Sequence, residues 1–197
     1  MDITRLIITA VGGQGNLLAS KVLGEAAMMS GINVRMSELH GMAQRGGVVE
    51  SSMIFGDAKS TIISDGEADL LVGFEPAETL RALKKCKSST VVVTNVNPLP
   101  PFTVAIGQGI YPDLEQLKAL IRAKTARLVT LDAVDLAHEA GNVLSVNMVL
   151  LGALIQTDVL PIKAEHIKTA IETRTKKAFV DVNLKAFQLG FDAAKQA

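Results

Sequence analysis

The run Ile3-Thr4-Arg5-Leu6-Ile7-Ile8-Thr9-Ala10-Val11 stops on Gly12-Gly13-Gln14-Gly15, and this junction constrains the fold more than any other stretch. A β-branched apolar run without polar alternation reads as a strand buried on both faces. The glycines free the backbone for a tight turn, and apolar residues Leu18, Val22, Leu23 and Ala26 then recur at helical spacing over 17–30. Asn16 is placed to cap that helix and Gly31 to end it. A strand buried on both faces needs a sheet with helices on each side.

The rest of the chain continues the alternation. Strands are expected over 32–39, 48–55, 70–74, 90–94 and 126–131, and Gly56-Asp57 offers a turn after which 60–63 pairs back as a short hairpin. Helices are expected over 76–84, 113–123, 132–141, 145–156, 163–174 and 182–195, with Asp113 and Asp132 as caps and Gln116 at capping-box spacing. Residues 95–101 carry three of the six prolines and read as an ordered crossover. The fold class is α/β: a three-layer, Rossmann-like, mostly parallel sheet with helices on both faces, mixed because of the hairpin. No repeat, low-complexity tract or linker interrupts it, so residues 1–197 read as a single domain.

Composition enters by exclusion. Lys plus Arg and Asp plus Glu both total 20, a formal net charge of zero, which provides no basic field for nucleic acid or an anionic membrane. A neutral surface favours association, with a partner or with another copy when the chain is isolated. One cysteine, Cys86, excludes an intramolecular disulfide and a four-thiolate iron–sulfur cluster built by this chain alone. His40, His138 and His166 show no metal-ligand spacing, and no metal site is expected. The most apolar later stretch, 143–155, is too short to span a bilayer, so a cytoplasmic chain is expected.

Two loops could carry recognition. Gly12-Gly13-Gln14-Gly15-Asn16 can aim N–H groups at an anion over the helix N-terminus, or can serve as a tight turn or a subunit contact. It matches a dinucleotide fingerprint only in part, since Leu18 stands where a third small residue belongs. The run Glu38-Leu39-His40-Gly41-Met42-Ala43-Gln44-Arg45-Gly46-Gly47 sets a carboxylate, an imidazole, an amide and a guanidinium among three glycines. Arg45 can grip a carboxylate or phosphate bidentately, or pair locally with Glu38. If the first two strands are parallel neighbours, both loops emerge at one sheet edge, where ligands bind in open α/β folds. Glu38 also stands where a Rossmann acid would meet a ribose, so an independent NAD(P)- or flavin-binding oxidoreductase or sensor is the alternative reading.

Other residues read more plainly. Glu75 ends a strand at the same edge and can cap the next helix; Arg81, Lys84, Lys85 and Lys87 suit a solvated helix end. His138 and His166 read as surface or satisfied, and Cys86 as incidental. No GxSxG elbow, acid–base carboxylate pair or Gly-Asp-Gly thiamine segment appears, so no catalytic residue is assigned.

The Gly12–Gly15 loop with Ala19-Ser20, and Glu38 through Gly47, resemble the gamma-type domain of 2-oxoacid:ferredoxin oxidoreductases. Within that family the His40-to-Gly47 stretch is similar to the beta subunit of the indolepyruvate ferredoxin oxidoreductase branch. Phe74-Glu75-Pro76, residues 95–101, Gly141-Asn142, residues 147–154 and residues 183–187 with Gly190 extend the likeness over nearly the whole chain.

That resemblance implies a subunit of an oxidative decarboxylase of arylpyruvates such as indolepyruvate. The partner alpha subunit would hold thiamine diphosphate and iron–sulfur clusters, electrons would pass to ferredoxin, and the acyl group would pass to coenzyme A. This chain would bind none of these cofactors alone. Gly12, Gly13, Gln14, Gly15, Asn16, Glu38, His40, Gln44, Arg45, Gly46 and Gly47 would lie against the alpha subunit or the acyl acceptor.

Overall fold

The computed structural model describes residues 3–41 and 46–196. In chain order the elements are β1 (Thr4–Val11), α1 (Asn16–Met29), β2 (Val34–His40), β3 (Val48–Phe55), β4 (Ala68–Gly73), α2 (Pro76–Ala82) and β5 (Cys86–Asn95). They continue with α3 (Phe102–Ala105), α4 (Leu114–Lys124), β6 (Arg127–Leu131), α5 (Ala133–Ala140), α6 (Val146–Gln156), α7 (Ala164–Arg174) and α8 (Val180–Ala194).

The six described strands form one sheet in the order β2-β3-β1-β4-β5-β6. β1, β4, β5 and β6 run parallel, whereas β3 is antiparallel to both β1 and β2. The mixed α/β sheet is therefore the one expected, but two details differ. The antiparallel hairpin joins β2 to β3, from Val34↔Phe55 to His40↔Val49, and 60–63 forms no strand. Instead Ile63 is buried, and its carbonyl accepts from Lys85 Nζ at 2.8 Å. Second, β1 and β2 are not neighbours. β3 lies between them because its end residues Met53, Ile54 and Phe55 are apolar on both faces, which suits an interior strand.

Alternation along β1 separates two cores. Leu6, Ile8 and Ala10 enter the larger core, beneath α1 and α5 through α8. Ile7 faces the smaller one, with Ile54, Leu71, Val92 and Ile121 beneath α2 and α4. Every residue of α6 except Gln156 is buried, so this helix has no polar face and is enclosed by sheet and helices. Its contact with α8 is backbone to backbone. A Cβ on Gly152 would overlap the Phe187 carbonyl oxygen, and one on Gly190 would overlap that of Val149.

The start of α1 also differs from expectation. Gly15, at φ 84°, is the cap residue; its carbonyl accepts from Leu18 N and Ala19 N, so the helix begins at Asn16 and the Asn16 side chain caps nothing. Gly31 ends the helix in the left-handed region as read, at φ 70°. Asp113 and Asp132 cap α4 and α5 through Gln116 N and Asp135 N. No helix among the described residues is long and apolar enough to cross a membrane.

Candidate functional site

The parallel strands β1, β4, β5 and β6 all end at one edge, where the order switches from β1 to antiparallel β3 on one side and β4 on the other. Crevices of open α/β sheets lie at such points. Both glycine loops arrive here, as expected, although through β3 rather than by direct β1–β2 pairing. Gly12 N donates to Gly47 O at 2.8 Å, so the two loops are joined.

Each predicted residue can now be placed. Gln14 is a strut: its Oε1 accepts from Val11 N at 2.8 Å and its Nε2 donates to Phe74 O at 3.3 Å. Gly13 and Gly15 occupy positive φ, at 104° and 84°. Asn16 is buried; its Oδ1 accepts from Ser20 Oγ at 3.3 Å, and its Nδ2 has no partner among the described residues. Asn147 Nδ2 reaches across from α6 to Gly15 O at 3.3 Å. Glu38 pairs with His40 Nε2 at 3.1 Å and accepts from Ser51 Oγ at 3.5 Å. Gly46 lines the crevice and Gly47 accepts from Gly12. Gln44 and Arg45, and with them the Glu38–Arg45 pair, lie outside the described residues.

The position of Glu38 bears on the nucleotide reading. A Rossmann acid stands on the strand adjacent to the glycine-loop strand. Here Glu38 is on β2 with β3 interposed, one strand spacing (about 4.8 Å) too far out. The geometry does not favour an independent nucleotide-binding oxidoreductase.

The crevice continues under residues 99–112 as a cavity of about 540 Å³, walled by Gly12, Gly46, Ala77, Leu80, Leu99, Pro100, Pro101, Phe102, Ile110, Tyr111 and Pro112. Glu75 lies in its floor, 1 % exposed, and fills both of its expected roles. Its Oε2 accepts from Glu78 N at 2.9 Å as the α2 cap. Its Oε1 accepts from Leu99 N at 3.2 Å and from the Tyr111 hydroxyl, which itself accepts from Ala77 N at 3.3 Å. Burial, reinforced by the Glu75 carboxylate, pushes the Tyr111 phenol pKa up, which keeps it a donor. Asn95 joins the same edge: its Nδ2 donates to Phe74 O at 3.1 Å and its Oδ1 accepts from Ala133 N at 3.0 Å.

Glu78, on the α2 wall, is 7 % exposed. Its Oε1 pairs with Arg81 Nη1 at 3.2 Å, and its Oε2 has no partner among the described residues. Desolvation raises its pKa; Arg81 opposes this and Glu75 adds to it.

Sequence reasoning missed Glu78, Tyr111, Asn95 and Asn147 as parts of this edge. The proline run at 98–101 was the available signal, because an ordered crossover must pack on something. In the basic cluster Arg81 pairs with Glu78, Lys85 with Asp65 at 3.3 Å and Lys87 with Asp69 at 2.5 Å. Arg81 and Lys84 stay exposed, as read, while Lys85 and Lys87 are half-buried against their carboxylates. His166 is satisfied by Ser30 Oγ at 2.6 Å, as read. Among the described residues no three His, Cys, Asp or Glu side chains gather to hold a metal ion.

Comparison with known proteins agrees with this architecture over its full length. The sequence is 44 % identical over 193 residues to "Indolepyruvate oxidoreductase subunit IorB" of Pyrococcus horikoshii, covering 97 % of this chain and 96 % of that protein. It is 40 % identical over 192 residues to the protein of the same name from Methanothermobacter thermautotrophicus, covering 98 % of each. In fold it matches the crystal structure of the keto/oxoacid ferredoxin oxidoreductase gamma subunit of Geobacter sulfurreducens, with a TM-score of 0.72 at 24 % identity, covering 98 % of this chain and 99 % of that one. It also matches part of the 2-oxoglutarate:ferredoxin oxidoreductase of Magnetococcus marinus, TM-score 0.75 at 20 % identity, covering all of this chain and 32 % of that one. The family described as pyruvate ferredoxin/flavodoxin oxidoreductase matches residues 5–193. With its glycine-loop edge, its mixed sheet and a match from the first strand to the last helix, the chain belongs to the pyruvate ferredoxin/flavodoxin oxidoreductase family.

Proposed function

We propose that this chain, residues 1–197 acting as one gamma-type unit, is the cluster-free subunit of a cytoplasmic oxidoreductase of indolepyruvate and related arylpyruvates. The observation that carries this reading is the likeness to relatives named as indolepyruvate oxidoreductase subunits, at 44 % identity across 97 % of the chain. The enzyme would decarboxylate the 2-oxo acid oxidatively to an acyl-CoA, with electrons passing to ferredoxin through an alpha subunit.

The residues present fit this division of labour. A cysteine-ligated cluster does not fit: Cys86 is the one cysteine, it is 1 % exposed, and burial pushes its thiol up to about 11. Coenzyme A phosphates suit the glycine edge better, through the backbone N–H groups at the start of α1. Gly12 to Asn16 and the 38–47 loop would then face either the acyl acceptor or the alpha subunit, and Glu38 and His40 would stand at that rim.

Co-expression with an alpha subunit tests the reading. The expected result is a stable complex that reduces ferredoxin or a viologen dye with indolepyruvate, dependent on thiamine diphosphate and coenzyme A. An alpha subunit equally active without this chain overturns it. Arg45→Ala that folds but supports no turnover assigns the 38–47 loop to function rather than to ordering itself.

A further inference from the structure

We infer that a second hollow, where α6 and α8 begin, binds a small organic acid: a carboxylate on an apolar body. Its volume, about 350 Å³, is within the range of small-molecule sites, and it shares no lining residue with the Glu75 cavity. Ser145 stands at the start of α6 and Asn183 in the opening turns of α8. Ser145 Oγ donates to Asn183 Oδ1 at 2.7 Å, so the two helix starts adjoin. That bond uses one end of the Asn183 amide. Asn183 is 6 % exposed, yet its Nδ2 is neither bonded to another described residue nor sealed from solvent, as Asn16 Nδ2 and Glu78 Oε2 are. A lining donor fixed by its other end and left open suits an incoming acceptor.

Charge and shape decide the kind of acceptor. No carboxylate stands on the lining, and Asp181 in the first turn of α8 is not part of it. Neither α6 nor α8 has a side-chain cap at its start, so the positive ends of both helix dipoles remain there. Arg174 on the lining is held by Glu25, whereas Lys176 is exposed and makes no ion pair among the described residues. These groups favour an anion, and the two oxygens of a carboxylate match the two kinds of donor, an amide and an ammonium. Leu18, Leu144 and Phe179 supply an apolar side, with Leu144 73 % and Phe179 43 % exposed. A bare inorganic anion would leave that surface wet, and a neutral amide would forgo the charge.

The full-length chain is titrated at neutral pH with phenylacetate, with acetate, which lacks the body, and with phenylacetamide, which lacks the charge. Calorimetry reads the affinity, and NMR shifts of the Asn183 amide and the Leu18 and Leu144 methyls read the place. Phenylacetate is expected to saturate, and each of the other two to bind at least about tenfold more weakly, the range for a hydrogen bond to a charged group and for burial of an aromatic body. Lys176→Gln should weaken phenylacetate about two- to fivefold, as for an exposed ion pair, and leave phenylacetamide unchanged. Asn183→Asp keeps an acceptor for Ser145 Oγ and turns the open end from donor to anion, so phenylacetate binding should be lost. Phenylpyruvate separates this site from a substrate site: it is expected to bind no better than phenylacetate, and a clear preference for it overturns the inference. Equal binding of the three probes, shifts confined to other parts of the chain, or no saturation by phenylacetate at millimolar concentration overturns it as well. Should Asn183→Asp not fold, Lys176→Gln and the three probes on the native chain still decide. The hollow and its donors do not rest on the function proposed above, so a complex without turnover would refute that function and leave this binding result standing.

Discussion

The Tyr111 hydroxyl donates to Glu75 Oε1 and accepts from Ala77 N, so one phenol ties the 99–112 segment to the start of α2. Together with Leu99 N on the same carboxylate oxygen, it closes the segment at both ends over the cavity. Glu75 therefore acts as the fixed point of this wall, and the segment keeps its position by polar contacts. Phe102 and Ile110 on it remain 75 % and 95 % exposed, so apolar burial contributes little there.

Tyr111→Phe removes this tie and leaves the ring. The expected cost is about 1.5–3 kcal/mol, as for a hydrogen bond to a charged group. Thermal unfolding checks the magnitude. Limited proteolysis checks the location: cleavage within residues 99–111 should accelerate while cleavage elsewhere does not. A global acceleration would place the effect elsewhere.

Glu78 gives a pH dependence of defined sign. Its folded pKa is raised above the ordinary 4.5 by desolvation, so its protonated form is the one that folding favours. The associated stability is fully present below the ordinary value and is lost as pH rises through the folded value. Glu78→Gln, which stays neutral, should match the wild type in Tm at pH 4 or below and exceed it at pH 7. A Tm difference that is flat across that window contradicts the burial argument.

Gly15→Ala meets two obstacles at once. φ is 84°, and an added Cβ would stand 2.7 Å from Asn147 Nδ2. Left-handed backbone alone costs a β-carbon residue about 1–2 kcal/mol, and the clash adds to it. Chemical denaturation should show a loss of about 2–3 kcal/mol. Gly13→Ala, at φ 104° with open space around its Cβ, should show the backbone part only.

Cys86 should be silent in the native chain. Its thiol is buried in β5 with its pKa pushed up to about 11, mainly by desolvation, so the thiolate fraction at pH 7.5 is very small. Maleimide labelling should be negligible in buffer and complete in denaturant. Rapid native labelling would mean that the strand end opens.

Much of the edge was legible in the sequence because backbone chemistry dictates it. Gly12 to Gly15 after an uninterrupted apolar run requires a strand that turns sharply into a helix, and Asp132 before an apolar helix with Gly141 behind it requires a cap at each end. The 60–63 strand failed for an equally local reason, since a single buried residue, Ile63, looks like a strand core at this length. The cavity was not legible. Glu78 and Tyr111 are 33 positions apart, and neither lies in a motif.

The sequence by itself determined the alternation of strands and helices, the glycine turn at Gly12–Gly15 and the lack of thiolates for a cluster, because each follows from residue type and near neighbours. Tertiary structure decided that β3 inserts between β1 and β2, which moves Glu38 away from the glycine loop, and that Glu75 binds Tyr111 while Glu78 Oε2 meets no donor among the described residues. Strand order depends on which apolar faces can be covered together, and hydrogen-bond satisfaction depends on which distant groups the packing brings near. Both are properties of the whole packed chain.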